Sequence, residues 1–179
     1  MITRLTLRLA TGADAPAIAR LSRDRIEHGL GWSWTAPRVR RNIGDAATNV
    51  VVASDAAWTL GFGIMQYHDD DAHLLLLAVR AESTRLGVGT ALLEWLERSA
   101  RVAGIAQVRL EARITNTAAR AFYRRLGYRE TQTLPGYYQG REACIRLARD
   151  LSLEGAVPDP AQRTTEPPRA PRSGPPEVE

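Results

Sequence analysis

Six consecutive residues, Arg85-Leu86-Gly87-Val88-Gly89-Thr90, have the composition of a site that holds an anion with its backbone. Glycine has no Cβ, so a ligand can approach the main chain closely at Gly87 and Gly89. A helix opening there presents unpaired N–H groups and the positive end of its dipole, which suits a pyrophosphate. The loop is not the nucleoside-triphosphate type, because no Lys-Ser/Thr pair follows. Nor is it the wider Gly-x-Gly-x-x-Gly dinucleotide fingerprint, since residue 92 is Leu. Ordinary turns also contain Gly-x-Gly, so the flanking elements carry the weight.

Those elements run from Leu74 to Tyr128. Leu74-Leu75-Leu76-Leu77-Ala78-Val79 is apolar on both faces and reads as a central strand. After the glycine loop, Ala91, Leu92, Trp95, Leu96 and Val102 fall on one helical stripe that ends near Gly104. Val108 to Ala112 is a short strand carrying Glu111. Asn116 caps a second helix whose Ala119, Phe122 and Leu126 face inward, and Gly127 closes it. Taken alone, Glu111 reads as an exposed strand carboxylate and Tyr123 as a helix residue at the core edge.

The rest of the chain supplies the frame. Leu5 to Leu9 alternates as a strand. Asp14 and Pro16 open a helix with Ile18, Leu21 and Ile26 on one face, ended by Gly29 and Gly31. Trp32 and Trp34 sit in a loop, where they plug a core edge or, for Trp34, line a substrate groove. Arg38 to Ile43 is a short helix. Asn49 to Ala53 and Trp58 to Tyr67 form a hairpin, with Gly61 and Gly63 marking a bulge or close approach. His68 to His73 is a turn rich in acids and histidine, which a solvated tip explains without a metal. Tyr128–Thr133 and Glu142–Ala148 are two final strands joined by a loop from Leu134 to Arg141. Cys144 is expected to be a small buried residue.

Composition narrows the function classes. The chain of 179 residues is one domain's worth. Its single cysteine excludes an internal disulfide framework and a cysteine-based zinc site. No apolar run reaches membrane-spanning length, and the N-terminus has no basic region followed by a long apolar segment, so a cytoplasmic protein without membrane contact is expected. Net charge is +4, all of the positive charge being arginine. The tail from residue 155 holds three of the arginines and four of the acids, leaving +5 on the remainder. That bias suits an anionic ligand. The arginines are scattered and lack interleaved aromatics, so nucleic acid is not an expected partner. From Glu154 onward the composition turns proline-rich and nearly free of apolar residues, which predicts a disordered tail over 154–179 behind a domain over 1–153.

Together these pieces resemble the GNAT superfamily of N-acetyltransferases, and within it the bacterial ribosomal-protein-alanine N-acetyltransferases. The segment Asn-x-x-Ala-x-x-Phe-Tyr-x-x-x-Gly-Tyr, Asn116 to Tyr128, is the most specific motif, and the likeness covers roughly Leu7 to Ala148. It implies an α/β fold with a central, mixed but mostly antiparallel sheet of about seven strands flanked by helices. A V-shaped splay between strands 4 and 5 admits the cofactor. It further implies acetyl-CoA as cosubstrate. Leu77, Ala78 and Val79 would pair with the pantetheine arm and steady an oxyanion. Arg85, Leu86, Gly87, Val88, Gly89 and Thr90 would cradle the pyrophosphate, and Asn116 would contact the cofactor. Glu111 takes the place of the general base and Tyr123, twelve residues on, that of the general acid. Tyr137 and Tyr138 resemble a tyrosine pair that covers peptide substrates.

Two departures stand out. Thr84 occupies the position where the family has Gln or Arg, which removes a long polar side chain but leaves the backbone cradle and Arg85. The last hairpin is about three residues shorter than in the alanine acetyltransferases. The expected reaction is direct acetyl transfer to an amine, with a protein N-terminal α-amine as first choice. A small amine, amino acid or antibiotic is the enzymatic alternative, and a non-catalytic acyl-CoA-binding module the alternative of another class. Monomer and homodimer both stay open.

Overall fold

The computed structural model describes residues 4–56, 58–138, 140 and 142–152. Seven strands form one sheet: β1 (Thr6–Leu9), β2 (Thr48–Asp55), β3 (Trp58–Tyr67), β4 (Asp71–Val79), β5 (Gln107–Arg113), β6 (Arg129–Tyr138) and β7 (Glu142–Asp150). Four α-helices accompany them: α1 (Ala15–Arg25), α2 (Ala36–Ile43), α3 (Val88–Val102) and α4 (Thr117–Arg125). The strand order is β1-β2-β3-β4-β5-β7-β6. Every neighbouring pair is antiparallel except β4 and β5, which are parallel and connected through α3, as a parallel crossover requires. The expected sheet, with its strand count and mixed character, is the one observed.

The parallel seam is short. Asp71–Leu74 pairs with Gln107–Leu110, and pairing stops there. Among the described residues, the remainder of β4, from Leu75 to Val79, has no partner on the β5 side. A bulge coincides with the break, because Met65 faces Leu74 while Ile64 faces Leu76, leaving Leu75 as an extra residue in β4. One inserted residue reverses the alternation of everything after it. Ala72 and Leu74 therefore pack into the core beneath α3, whereas Leu76 and Ala78 pack into the core beneath α1 and α2.

Each face of the sheet is covered by one of these cores. On one side Val88, Leu92, Leu93, Leu96 and Ala100 of α3 are buried against Val51, Met65, Leu110 and Leu147. Removing each of these valine, leucine and methionine side chains from water contributes about 1.5–3 kcal/mol. Close neighbours explain the glycines of β3: a Cβ at Gly63 would stand 2.7 Å from Leu96 Cδ1 of α3, and one at Gly61 would stand 2.7 Å from the Ala78 carbonyl oxygen of β4 and 3.1 Å from Leu92 Cδ1 of α3. On the other side Ile18, Ala19, Val39 and Trp34 meet Val50, Val52, Phe62 and Ile64.

Several local expectations are corrected. β4 begins at Asp71, so Ala72 and His73 belong to the sheet and not to the hairpin tip. α1 stops at Arg25, four residues before Gly29. Val102 is 87% exposed, and Ala100 takes its place in the buried stripe. β6 continues through Leu134 to Tyr138, because an edge strand tolerates Pro135 and a register shift there absorbs Gly136. Glu97, unmarked by the sequence, is 1% exposed; it accepts hydrogen bonds from the Tyr128 hydroxyl at 2.8 Å and from Arg149 at 2.9 Å. The proline-rich tail lies outside the described residues. Among those described, no helix is long and apolar enough to cross a membrane.

Candidate active site

Where β4 and β5 part, a cleft of about 390 Å³ opens through the sheet. β4 lines it with Leu74 to Leu77 and β5 with Leu110 to Arg113. The start of α4 contributes Asn116, Ala119 and Tyr123; the connection after α1 contributes Ile26, His28 and Gly29; Tyr138 closes the end of β6. Glu111 and Tyr123 thus share one cavity.

Glu111 has a side chain only 5% exposed, and both its oxygens are engaged. Its Oε2 lies 2.6 Å from Nε2 of His73, two rungs along the seam, and its Oε1 accepts from Arg146 Nε at 2.8 Å. A carboxylate oxygen and a bare imidazole nitrogen both offer lone pairs, so a proton must lie between them at that separation. Burial pushes the Glu111 carboxyl up, but the hydrogen bonds and charges of His73 and Arg146 outweigh it and hold it at about 2. It is ionised at any physiological pH.

Tyr123 is buried against Phe122 and Tyr128, with edge-to-face ring centroids at 5.1 and 5.6 Å. Its hydroxyl makes no hydrogen bond among the described residues, and it lines the cleft. Burial, reinforced by neighbouring Tyr138, raises its pKa well above the ordinary phenol value. The group is therefore a neutral phenol facing the cleft, without a hydrogen-bond partner among the described residues.

The glycine loop adjoins this cleft at the far end of β4. The position a Gly89 Cβ would take is 3.4 Å from the Phe122 ring and 3.6 Å from Val79. Gly87 has φ 80° and Arg85 has φ 61°, so a left-handed residue stands on each side of Leu86 in the loop. Holding a non-glycine residue there costs of order 1 kcal/mol. Among the described residues, no acceptor takes the backbone N–H of any residue from Arg85 to Thr90. Asn116 caps α4, its Oδ1 accepting from Ala119 N at 3.0 Å, which leaves its amide nitrogen free to donate.

On the opposite wall, Tyr138 stacks edge-on against Tyr137 at 5.0 Å, and Tyr137 is 47% exposed. Trp34 does not join them. It is 8% exposed in the core under α1 and α2, with Arg38 4.1 Å over its ring. Two residues that sequence reasoning missed shape this wall. Arg113 donates to the carbonyls of Ile26 and His28 at 3.1 and 2.8 Å, pairs with Glu142 at 3.5 Å and lies over the Tyr138 ring. Buried Glu27 accepts from Ser33 N and Oγ at 2.7 Å each, pinning the same connection from inside. His73 was likewise invisible, because its partner stands 38 residues away. Among the described residues, no three His, Cys, Asp or Glu side chains converge as a metal group would require.

Comparison with known proteins agrees with this geometry. A family model described as an acetyltransferase (GNAT) domain matches residues 46–130. The ribosomal protein bS18-alanine N-acetyltransferase of Escherichia coli (strain K12) is 33% identical over 143 residues, spanning 78% of this chain and 93% of that protein. An uncharacterized N-acetyltransferase of Methanocaldococcus jannaschii is 39% identical over 89 residues, 49% of this chain and 57% of its own length. The crystal structure of the ribosomal-protein-S18-alanine N-acetyltransferase from Escherichia coli superposes with a TM-score of 0.72 at 29% identity, covering 82% of this chain and 94% of that one. The chain belongs to the GNAT acetyltransferase family and is an acetyl-CoA-dependent N-acetyltransferase.

Proposed function

We propose that the chain acetylates a protein N-terminal α-amine by direct transfer, within the cleft that Glu111 and Tyr123 share. That shared cavity is the observation that carries the reading. When bound, acetyl-CoA supplies an activated acetyl group as a thioester. The N–H groups from Arg85 to Thr90 would hold its pyrophosphate. The open edge of β4, Leu77, Ala78 and Val79, would pair with its pantetheine arm, and Asn116 would donate its free amide hydrogens to it.

An incoming α-amine is largely protonated and must lose a proton. Glu111, held near pKa 2, cannot keep that proton, since an efficient base titrates close to the working pH. Its part is to attract and orient the ammonium and to pass the proton to water. Tyr123, neutral and unengaged, offers its hydroxyl hydrogen to the departing sulfur, steadying the developing thiolate by a hydrogen bond while keeping its own proton. The two reach the cleft from opposite faces of the sheet, Glu111 from the face opposite Leu110 and Ala112, and Tyr123 from the α3 and α4 side. Tyr137 and Tyr138 would lie along the peptide. The likeness to a protein-alanine acetyltransferase over 93% of its length favours a protein N-terminus over a small amine.

Thiol release from acetyl-CoA, measured with N-terminal peptides and small amines, tests the proposal. Turnover on peptides and its loss in Tyr123→Phe is the expected outcome. Turnover confined to small amines would overturn the acceptor assignment, and tight CoA binding without turnover on any acceptor would favour a regulatory module.

A further inference from the structure

We infer that the acceptor carries an acidic residue directly after its amine, read by Arg25. This narrows the substrate of the function proposed above and rests on it. The cleft is lined by three formally charged side chains, Arg25, Glu111 and Arg113. Glu111 is committed to His73 and Arg146, and Arg113 to Glu142 and to two carbonyls. Arg25, in the last turn of α1, is exposed and has no hydrogen-bonding or ionic partner among the described residues. Among the described residues it is the one charge facing the cleft that the fold leaves unused there.

The surplus continues outward. A second cavity of about 290 Å³ shares Arg25 with the cleft and runs along α1 past Arg20 to Arg80. Arg20 has no ionic partner among the described residues, and Arg80 rests over the Trp58 ring. Of the two acids there, Asp24 pairs with Arg23 at 3.0 Å, which leaves Glu82 to oppose three arginines. An acidic side chain following the amine therefore meets uncommitted guanidinium groups. A basic one meets three arginines against the single uncommitted carboxylate of Glu82, so discrimination acts by repulsion as well as attraction.

The test uses hexapeptides with a free N-terminal alanine, identical except for Glu, Gln or Arg at the second position. Thiol release from acetyl-CoA is followed for the wild type, Arg25→Gln and Arg25→Glu. In the wild type, kcat/KM falls in the order Glu, Gln, Arg, with about a tenfold span at low salt carried by KM. The span contracts as salt screens these exposed charges. Arg25→Gln compresses the order and Arg25→Glu inverts it. Because each comparison is made within one variant, an altered amount of folded protein does not affect it. A flat or opposite order in the wild type, or an unchanged order in Arg25→Glu, overturns the inference alone. Absence of thiol release with every peptide overturns the proposed acceptor class and this inference with it.

Discussion

Two buried glutamates, each bonded to an arginine and one other side chain, show how differently the same groups can be used. Glu111 stands on β5 at the mouth of the parting strands, with Arg146 and His73; Glu97 stands on α3 inside the core, with Arg149 and Tyr128. Their titrations move apart. Burial raises Glu97 and its partners recover only part of that, whereas at Glu111 the partners overcome burial and hold the carboxyl at about 2. What separates the carboxylate proposed to meet substrate from the structural one is access to a cavity and the balance of partners, not burial itself. The tyrosines repeat the contrast: Tyr128 spends its hydroxyl on Glu97, and that of Tyr123 makes no hydrogen bond among the described residues.

The sharpest test exchanges the roles of these pairs. Tyr123→Phe should lower kcat by about 10²–10³-fold, the range for a lost donor to developing negative charge, and Glu111→Gln should lower kcat/KM through weaker orientation of the ammonium, as thiol-release kinetics will read. Tyr123→Phe should leave the melting temperature nearly unchanged, since its hydroxyl has no partner among the described residues. Arg149→Ala should do the reverse, costing about 3–5 kcal/mol in denaturant unfolding because it strands a buried carboxylate, with acetylation by the folded fraction intact. Tyr128→Phe should cost about 1–3 kcal/mol for the same reason on a smaller scale. A stable but inactive Arg149→Ala protein would erase the distinction.

The pH dependence of stability should separate the carboxylates by sign. Glu111, depressed in the folded state, contributes stability that is present above its unfolded value near 4.5 and is lost as pH falls toward about 2. Glu97, raised in the folded state, contributes stability below its unfolded value that is lost as pH rises through its folded one. Relative to wild type, Glu111→Gln should therefore lose ground as pH climbs from 2 to 5, while Glu97→Gln should gain ground from pH 5 upward. Urea midpoints across that range will show slopes of opposite sign or refute the assignment. Gly61→Ala should destabilise by about 1–3 kcal/mol in urea unfolding, comparable to Tyr128→Phe, through collision with the Ala78 carbonyl and without touching either carboxylate.

Much of the frame was legible because its signals are local. A glycine pair opening a helix, an asparagine three residues before the N–H it accepts from, and alternation along β2 and β3 need no knowledge of distant residues. What stayed hidden is relational. The extra residue in β4 sits in a run of four leucines, so no change of residue type marks it. Glu97 looks like any polar residue on a helix until Tyr128 and Arg149 arrive from elsewhere in the chain. His73 was assigned to a hairpin tip because its pairing with β5 depends on a crossover of more than thirty residues. Trp34 had both a packing and a groove reading, and only the packing of α1 against α2 separates them.

The brevity of the β4–β5 seam has a mechanical corollary. Four matched residues, fastened by the Asp71–Arg109 and His73–Glu111 rungs, are what the sheet uses to hold one half-shell to the other. A ligand that laid its own amides along the bare margin of β4 would act as a surrogate strand, spanning the gap and clamping both shells. Occupancy would then be felt as rigidity far from the reacting atoms, with slower amide exchange in β5 and β7 as well as beside the ligand.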